Sequence, residues 1–153
     1  VFQDILVRVK CLDQRWQNAA FKYETSGSAG VDLRACLDQE EISMAPGMRR
    51  AIGTGIAIEI LSPSVAGFVF SRSGLGTQEG LVVSQGVGVI DPDYRGEIIV
   101  SLMNTSETCH SIRQGQRIAQ LVFMPVCQAR FFIAQELTPS ARGSGGFGHT
   151  GNY

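Results

Sequence analysis

Apolar and polar residues alternate with a period of two along the first segment, where Ile5, Val7 and Val9 interleave with Leu6, Arg8 and Lys10, and this pattern predicts a strand. The same reading gives strands at residues 31–35, at Ile42 and Met44, from Ile52 through 55–60 to a stop at Pro63, and at 66–70. Val82-Val83, Val87-Val89-Ile90 and 98–103 follow, then the long apolar run 117–126, whose mixed character predicts burial on both faces. Phe131-Phe132-Ile133 reads as the last core strand. Ala45-Pro46-Gly47-Met48 suits a type II turn, and Arg113-Gln114-Gly115-Gln116 suits a second turn. Residues 75–79 are long enough for only one or two helical turns. Some ten short strands with turns about every ten residues predict an all-β sandwich or barrel with one short helix and a flexible, glycine-rich C-terminal tail.

Within that pattern, Gly88-Val89-Ile90-Asp91-Pro92-Asp93-Tyr94-Arg95-Gly96-Glu97-Ile98 packs two carboxylates and a tyrosine between apolar runs and reads as a β-hairpin with its tip at residues 91–96. A carboxylate fixed at a strand end can serve as a general base toward water, yet Asp and Pro are also ordinary turn residues, and the stretch alone leaves both readings open. Ser71-Arg72-Ser73-Gly74-Leu75-Gly76 joins a strand to the short helix, where free amides, Arg72 and the Ser73 hydroxyl could hold phosphate oxygens or simply cap the helix. The tail 140–151 cannot pack a core, but Arg142, Phe147, His149 and Thr150 sit among glycines in a chain supple enough to close over a ligand.

Composition narrows the class. The 153 residues suit a single domain, divided here into a β core over 1–138 and a lid over 139–153. A net charge of -1 gives no broad field toward nucleic acid or anionic lipid. No apolar run approaches the roughly 20 residues of a membrane span. Cys11, Cys36, Cys109 and Cys127 are scattered and only His110 and His149 could join them, which argues against zinc; four cysteines could form two bridges, but nothing in the sequence marks a secreted chain, and the expected setting is a reducing cytoplasm. Two histidines so placed support no serine–histidine–aspartate triad.

Five stretches in order resemble the motifs of the deoxyuridine triphosphatase (dUTPase) family, in its homotrimeric all-β branch, from about Ser26 to Gly151. Residues 29–35, 72–76, 88–96, 115–121 and 142–151 match the first to fifth motifs. The resemblance implies a jelly-roll-like fold and hydrolysis of dUTP to dUMP and pyrophosphate, which keeps uracil out of DNA and supplies dUMP for thymidylate synthesis. It implies Asp91 as the base, Mg2+ on the triphosphate with Asp32 holding it through water, and Arg72, Ser73, Gly74 and Gln120 on the phosphate chain. Arg142 with Gly148, His149 and Thr150 would close over the γ-phosphate. Backbone groups from Gln85 through Gly88, Val89 and Ile90, with Ile99 opposite, would read uracil; Tyr94 would exclude a ribose 2′-hydroxyl and Phe147 would stack on the base. Each site would combine three subunits: motifs one, two and four from the first, motif three from the second and the tail from the third.

Ser71 stands where the family usually has proline, Gln116 where it usually has an acid, and Gln85 where bacterial members commonly have asparagine. These departures predict lost rigidity, a lost ion pair and an altered uracil contact. Two rivals remain: a dCTP deaminase of the same fold, which needs a glutamate that the expected place beside Asp91 lacks, and a non-catalytic dUTP-binding regulator, in which Asp91 or the tail motif should be missing.

Overall fold

The computed structural model describes residues 4–16 and 21–146. Strands β1 (Val7–Cys11), β2 (Gly30–Arg34), β3 (Glu41–Met44), β4 (Arg49–Ile60), β5 (Val65–Phe70), β6 (Leu81–Val83), β7 (Gly88–Ile90), β8 (Glu97–Asn104), β9 (His110–Arg113) and β10 (Arg117–Pro125) carry the fold, with one wide helical turn at Leu75–Glu79 and a short 3-10 turn at Gln14–Trp16. One four-stranded sheet has the order β1-β4-β8-β6, a second the order β2-β10-β5-β7, and β3 pairs with β9 in a two-stranded ribbon. The pairings are antiparallel, and the expected all-β jelly-roll-like sandwich is the architecture found. Among the described residues no helix is long and apolar enough to cross a membrane.

The two-residue period explains the core. In β8, Ile98, Val100 and Leu102 are buried while Ile99 between them is exposed, so one face seals the sandwich and the other meets the surroundings. β2 does likewise, with Val31 and Leu33 inward and Asp32 on the opposite face. Each fully buried aliphatic side chain contributes roughly 1.5–3 kcal/mol.

β4 is long enough to serve both β1 and β8 because it bulges. Its register against β8 moves from Gly53↔Ile99 to Ala57↔Glu97, leaving residues 54–56 to absorb the extra length. Gly55 takes φ +67° there and donates its N–H to Glu97 Oε1 at 2.7 Å, while Thr54 Oγ1 donates to Ile98 O at 2.6 Å. Beside the bulge, Arg15 pairs with Asp13 at 2.7 Å and holds that carboxyl well below the ordinary carboxylate range; burial pushes the Cys36 thiol up.

Two expectations fail. β7 and β8 do not form a hairpin: β7 pairs with β5 and β8 with β4 and β6, so residues 91–96 cross from one sheet to the other. Alternating apolar runs flanking a turn specify strands but not their partners. Nor is Phe131-Phe132-Ile133 a core strand. Among the described residues regular structure ends at Pro125, residues 127–144 are exposed, and Phe131 and Ile133 stand 94% and 103% accessible.

Among the described residues Thr54 and Asn104 are the buried polar ones, and Asn104, at the end of β8, has no accessible surface. Its Nδ2 donates to Met44 O at 2.8 Å and Thr108 O at 2.7 Å, and its Oδ1 accepts from Ser106 N at 2.9 Å and Ser106 Oγ at 2.8 Å, tying the ribbon to the sandwich. Asn104→Ala leaves the buried Met44 carbonyl without its partner and unties Ser106 and Thr108, and it is expected to cost about 2 kcal/mol in chemical denaturation; a loss below about 1 kcal/mol would mean that water replaces the amide.

Candidate active site: an anion cleft and a separate carboxylate turn

β10 lies between β2 and β5, and its register sets Gln120 opposite Asp32 on one side and Phe70 on the other. Residues directly opposite in a ladder share a face, so Asp32, Gln120 and the chain leaving Phe70 meet at one end of the sheet. With Arg72, Ser73, Gly74 and Arg117 they line an open cleft of about 530 Å³. Asp32, 17% accessible, forms an ion pair with Arg72 Nε and accepts a hydrogen bond from Arg117 Nη1, each at 3.0 Å. Arg117 Nη1 also lies 3.3 Å from Glu24 Oε1, and Arg72 Nη1 donates to Arg117 O at 3.3 Å. Two guanidiniums held on one half-buried carboxylate form a charge set that an incoming phosphate oxygen can share, because guanidinium forks bind carboxylate and phosphate by the same geometry.

The neighbouring contacts fix this arrangement. Gln120 Nε2 donates to Ser71 O at 3.2 Å, and a Cβ on Gly30 would lie 2.9 Å from Gln120 Oε1, so glycine there leaves room for the amide. Ser71 supplies more than the expected loss of rigidity: its Oγ accepts from Val83 N at 2.8 Å, a tie that a proline side chain cannot make. Gln116, in place of an acid, closes its turn by accepting from Arg113 N at 2.8 Å. Gly74 and Ser73 are exposed at the cleft wall, with open space around the Gly74 Cα. Arg117 and Glu24 are the members to which sequence reasoning gave no role. The position of Arg117 inside the fourth motif was its one signal; Glu24 had none.

The second cluster lies elsewhere. Gly86 (φ +78°) donates to Val83 O at 3.0 Å to turn the chain from β6 into β7, and Ser84 N and Oγ bond Ser101 O and Oγ, each at 2.8 Å. Ser84 Oγ also donates to Gln85 Oε1 at 3.1 Å, which turns the amide nitrogen toward Gly88. Asp91 follows β7 in an exposed turn closed by Tyr94 N–H on Asp91 O at 3.1 Å, and Arg95 Nη1 straps the Pro92 and Tyr94 carbonyls at 2.7 and 2.9 Å. Val89, Ile99 and Tyr94 are exposed.

Pairing register gives the distance between the clusters. Gly88 faces Val69 and Ile90 faces Gly67, so β7 carries Asp91 away from the Arg72 end of β5. That is roughly 13 Å along the strand, and β2 lies about 14 Å across the sheet from β7, so Asp91 and Asp32 of one chain are roughly 20 Å apart. The first, second and fourth motifs meet in one cleft; the third does not join them. Arg142, exposed, donates from Nε to Gly145 O at 2.8 Å within its own turn, and Phe147, Gly148, His149 and Thr150 lie outside the described residues.

Residues 17–151 match the dUTPase family profile. The chain belongs to the dUTPase family. It is 48% identical over 147 residues to the deoxyuridine 5′-triphosphate nucleotidohydrolase of Cronobacter sakazakii, covering 95% of this chain and 96% of that one. Its fold matches the dUTPase of Staphylococcus bacteriophage 80alpha with dUPNHPP at TM-score 0.83 and 25% identity, over 95% and 98% of the two chains. It also resembles a point-mutant dUTPase from phage phi11 of S. aureus, described with a structural Mg(II) ion, at TM-score 0.75 and 20% identity over 88% and 99%.

Asp32→Asn releases both arginines in this dUTPase. It is expected to tighten binding of metal-free pyrophosphate roughly twofold to fivefold at low ionic strength, the scale of a partly exposed ion pair. Unchanged affinity in titration calorimetry would show that Asp32 does not govern the pair.

Proposed function

We propose that the chain hydrolyses dUTP to dUMP and pyrophosphate, with Asp91 as the base that orients and deprotonates a water for in-line attack on the α-phosphorus. The observation that carries this reading is Asp32 held between Arg72 and Arg117 in the cleft, in a chain of the dUTPase family. Arg72 and the Ser73–Gly74 backbone are suited to hold the phosphate chain and to stabilise charge on the leaving pyrophosphate; Gln120 orients an amide at the same wall. The relatives' name and the dUTP analogue in the phage neighbour support the substrate.

Mg2+ fits this donor set. It is ordinarily bound by one or two carboxylates plus substrate phosphates while keeping several waters. The cleft offers Asp32 as a carboxylate, and no cluster of three or more His, Cys, Asp or Glu forms a dedicated cage among the described residues. Asp32 would hold the ion through water, and the bound ion would neutralise charge on the triphosphate.

Base choice is assigned to the backbone from Gln85 to Ile90, which would pair with the uracil edge while strand sterics exclude a thymine methyl, and sugar choice to Tyr94. Asp91 serves the cleft of another chain, since about 20 Å separates it from Asp32 of its own. The apolar residues Phe131, Phe132, Ile133 and Leu137, exposed along an arm that leaves the core, support burial against further copies, and a homotrimer with shared sites accommodates both facts. Residues 139–153 are assigned as the lid over a neighbouring site, with Arg142 on the γ-phosphate and Phe147 on the base. A reducing cytoplasm suits four free cysteines.

Asp91→Asn is expected to retain dUTP binding and lose at least ~100-fold in turnover. Mixing Asp91→Asn with the separately inactive Arg72→Ala, followed by subunit exchange, should restore about a quarter of the sites, each taking its base and its cleft from different chains. No recovery after demonstrated exchange would sink the shared site. Truncation before Arg142 should leave a stable assembly with little turnover; full activity would remove the lid.

A further inference from the structure

Tyr94 is 42% accessible, so packing alone does not fix its ring. Its hydroxyl donates to Glu97 O at 2.9 Å, and its outer ring edge rests on Gly96. A Cβ on Gly96 would lie 2.4 Å from the Tyr94 hydroxyl oxygen, 2.6 Å from Cζ and 3.0 Å from Cε2, separations too short for both to remain. Gly96 is absent from the positive-φ glycines, so its backbone does not demand glycine; the tyrosine above it does.

The other end of this clasp is rigid. Glu97 opens β8 opposite Ala57, and its carboxylate accepts Gly55 N–H at 2.7 Å inside the β4 bulge. A Cβ on Gly53 would meet the same Glu97 oxygen at 2.6 Å, so the carboxylate occupies space that Gly53 leaves clear. On the near side, the Tyr94 backbone is held through its N–H on Asp91 O and through Arg95 on its carbonyl. The ring therefore spans from an anchored turn to an anchored strand, with the bare Cα of Gly96 as its floor.

We propose that Gly96 and Glu97 are positioning residues for sugar selectivity: they seat the Tyr94 ring at the place from which it excludes a 2′-hydroxyl. The inference rests on the reading of Tyr94 as the sugar gate. A ring that must leave its rotamer to make room for a methyl group loses its hydroxyl bond as well, and the wall against the sugar moves with it. The base-reading turn at 84–90 is held by separate contacts, so uracil choice stays with that turn.

The test compares kcat/KM for dUTP, UTP and dTTP in the wild type, Gly96→Ala, Tyr94→Phe, Tyr94→Ala and Gly96→Ala/Tyr94→Ala, with thermal melting of each. The expected result is that Gly96→Ala lowers the dUTP-to-UTP ratio by roughly tenfold or more, toward the value of Tyr94→Ala, leaves the dUTP-to-dTTP ratio unchanged, and adds nothing to Tyr94→Ala in the double variant. Tyr94→Phe, which keeps the ring on its floor without the clasp, should fall between, and it tests the Glu97 contact independently if Gly96→Ala melts early. A wild-type ratio in a folded Gly96→Ala, while Tyr94→Ala loses selectivity, overturns the seat and spares the gate. A wild-type ratio in Tyr94→Ala overturns the gate itself.

Discussion

A slip of one residue in the pairing of β10 would turn Gln120 to the other face of its sheet and separate it from both Asp32 and the chain after Phe70. The cleft depends on that register. Three segments more than thirty residues apart in sequence, 30–34, 65–74 and 117–125, meet there because one strand pairs with two others at a common rung. Buried alternation in β2 and β10 specifies the register, since Val31, Leu33, Ala119 and Leu121 are dry on the face opposite Asp32 and Gln120. Packing in the core thus sets the geometry of the charges outside it.

The strands and turns were legible because their signals are local. The 117–126 run became β10, the Pro46-Gly47 pair became a turn with Gly47 at φ +71°, and the short helix sits at Leu75–Glu79. What failed required knowledge of partners. The apolar runs around residues 91–96 have the periodicity of a hairpin, and only the sandwich decides that they belong to different sheets. Phe131-Phe132-Ile133 is apolar enough to be buried, but composition cannot say against which chain. The motif pattern located Asp32 and Arg72; the pairing of Arg117 with Asp32 and Glu24 spans 85 residues in one case and has no local signature.

Ser71 and Gly96 show why single positions resist reading by type. Serine in place of proline suggests a looser chain, yet its hydroxyl joins the segment before Arg72 to the last residue of β6. Glycine in a turn suggests an unusual backbone, yet the constraint at Gly96 is the tyrosine ring that lies over it. In both cases the determining neighbour is close in space and its chemistry is not implied by the residue alone.

The separation of about 20 Å between Asp91 and Asp32 within one chain has a genetic consequence in the proposed assembly. A faulty polypeptide would not damage one site of its own. It would withhold a base from one centre, a phosphate cleft from another or a lid from a third, according to where the fault lies. Coexpressed with sound chains, one faulty copy with lesions in two regions would silence two centres, so such an allele would act as a dominant poison rather than as a simple loss of dosage.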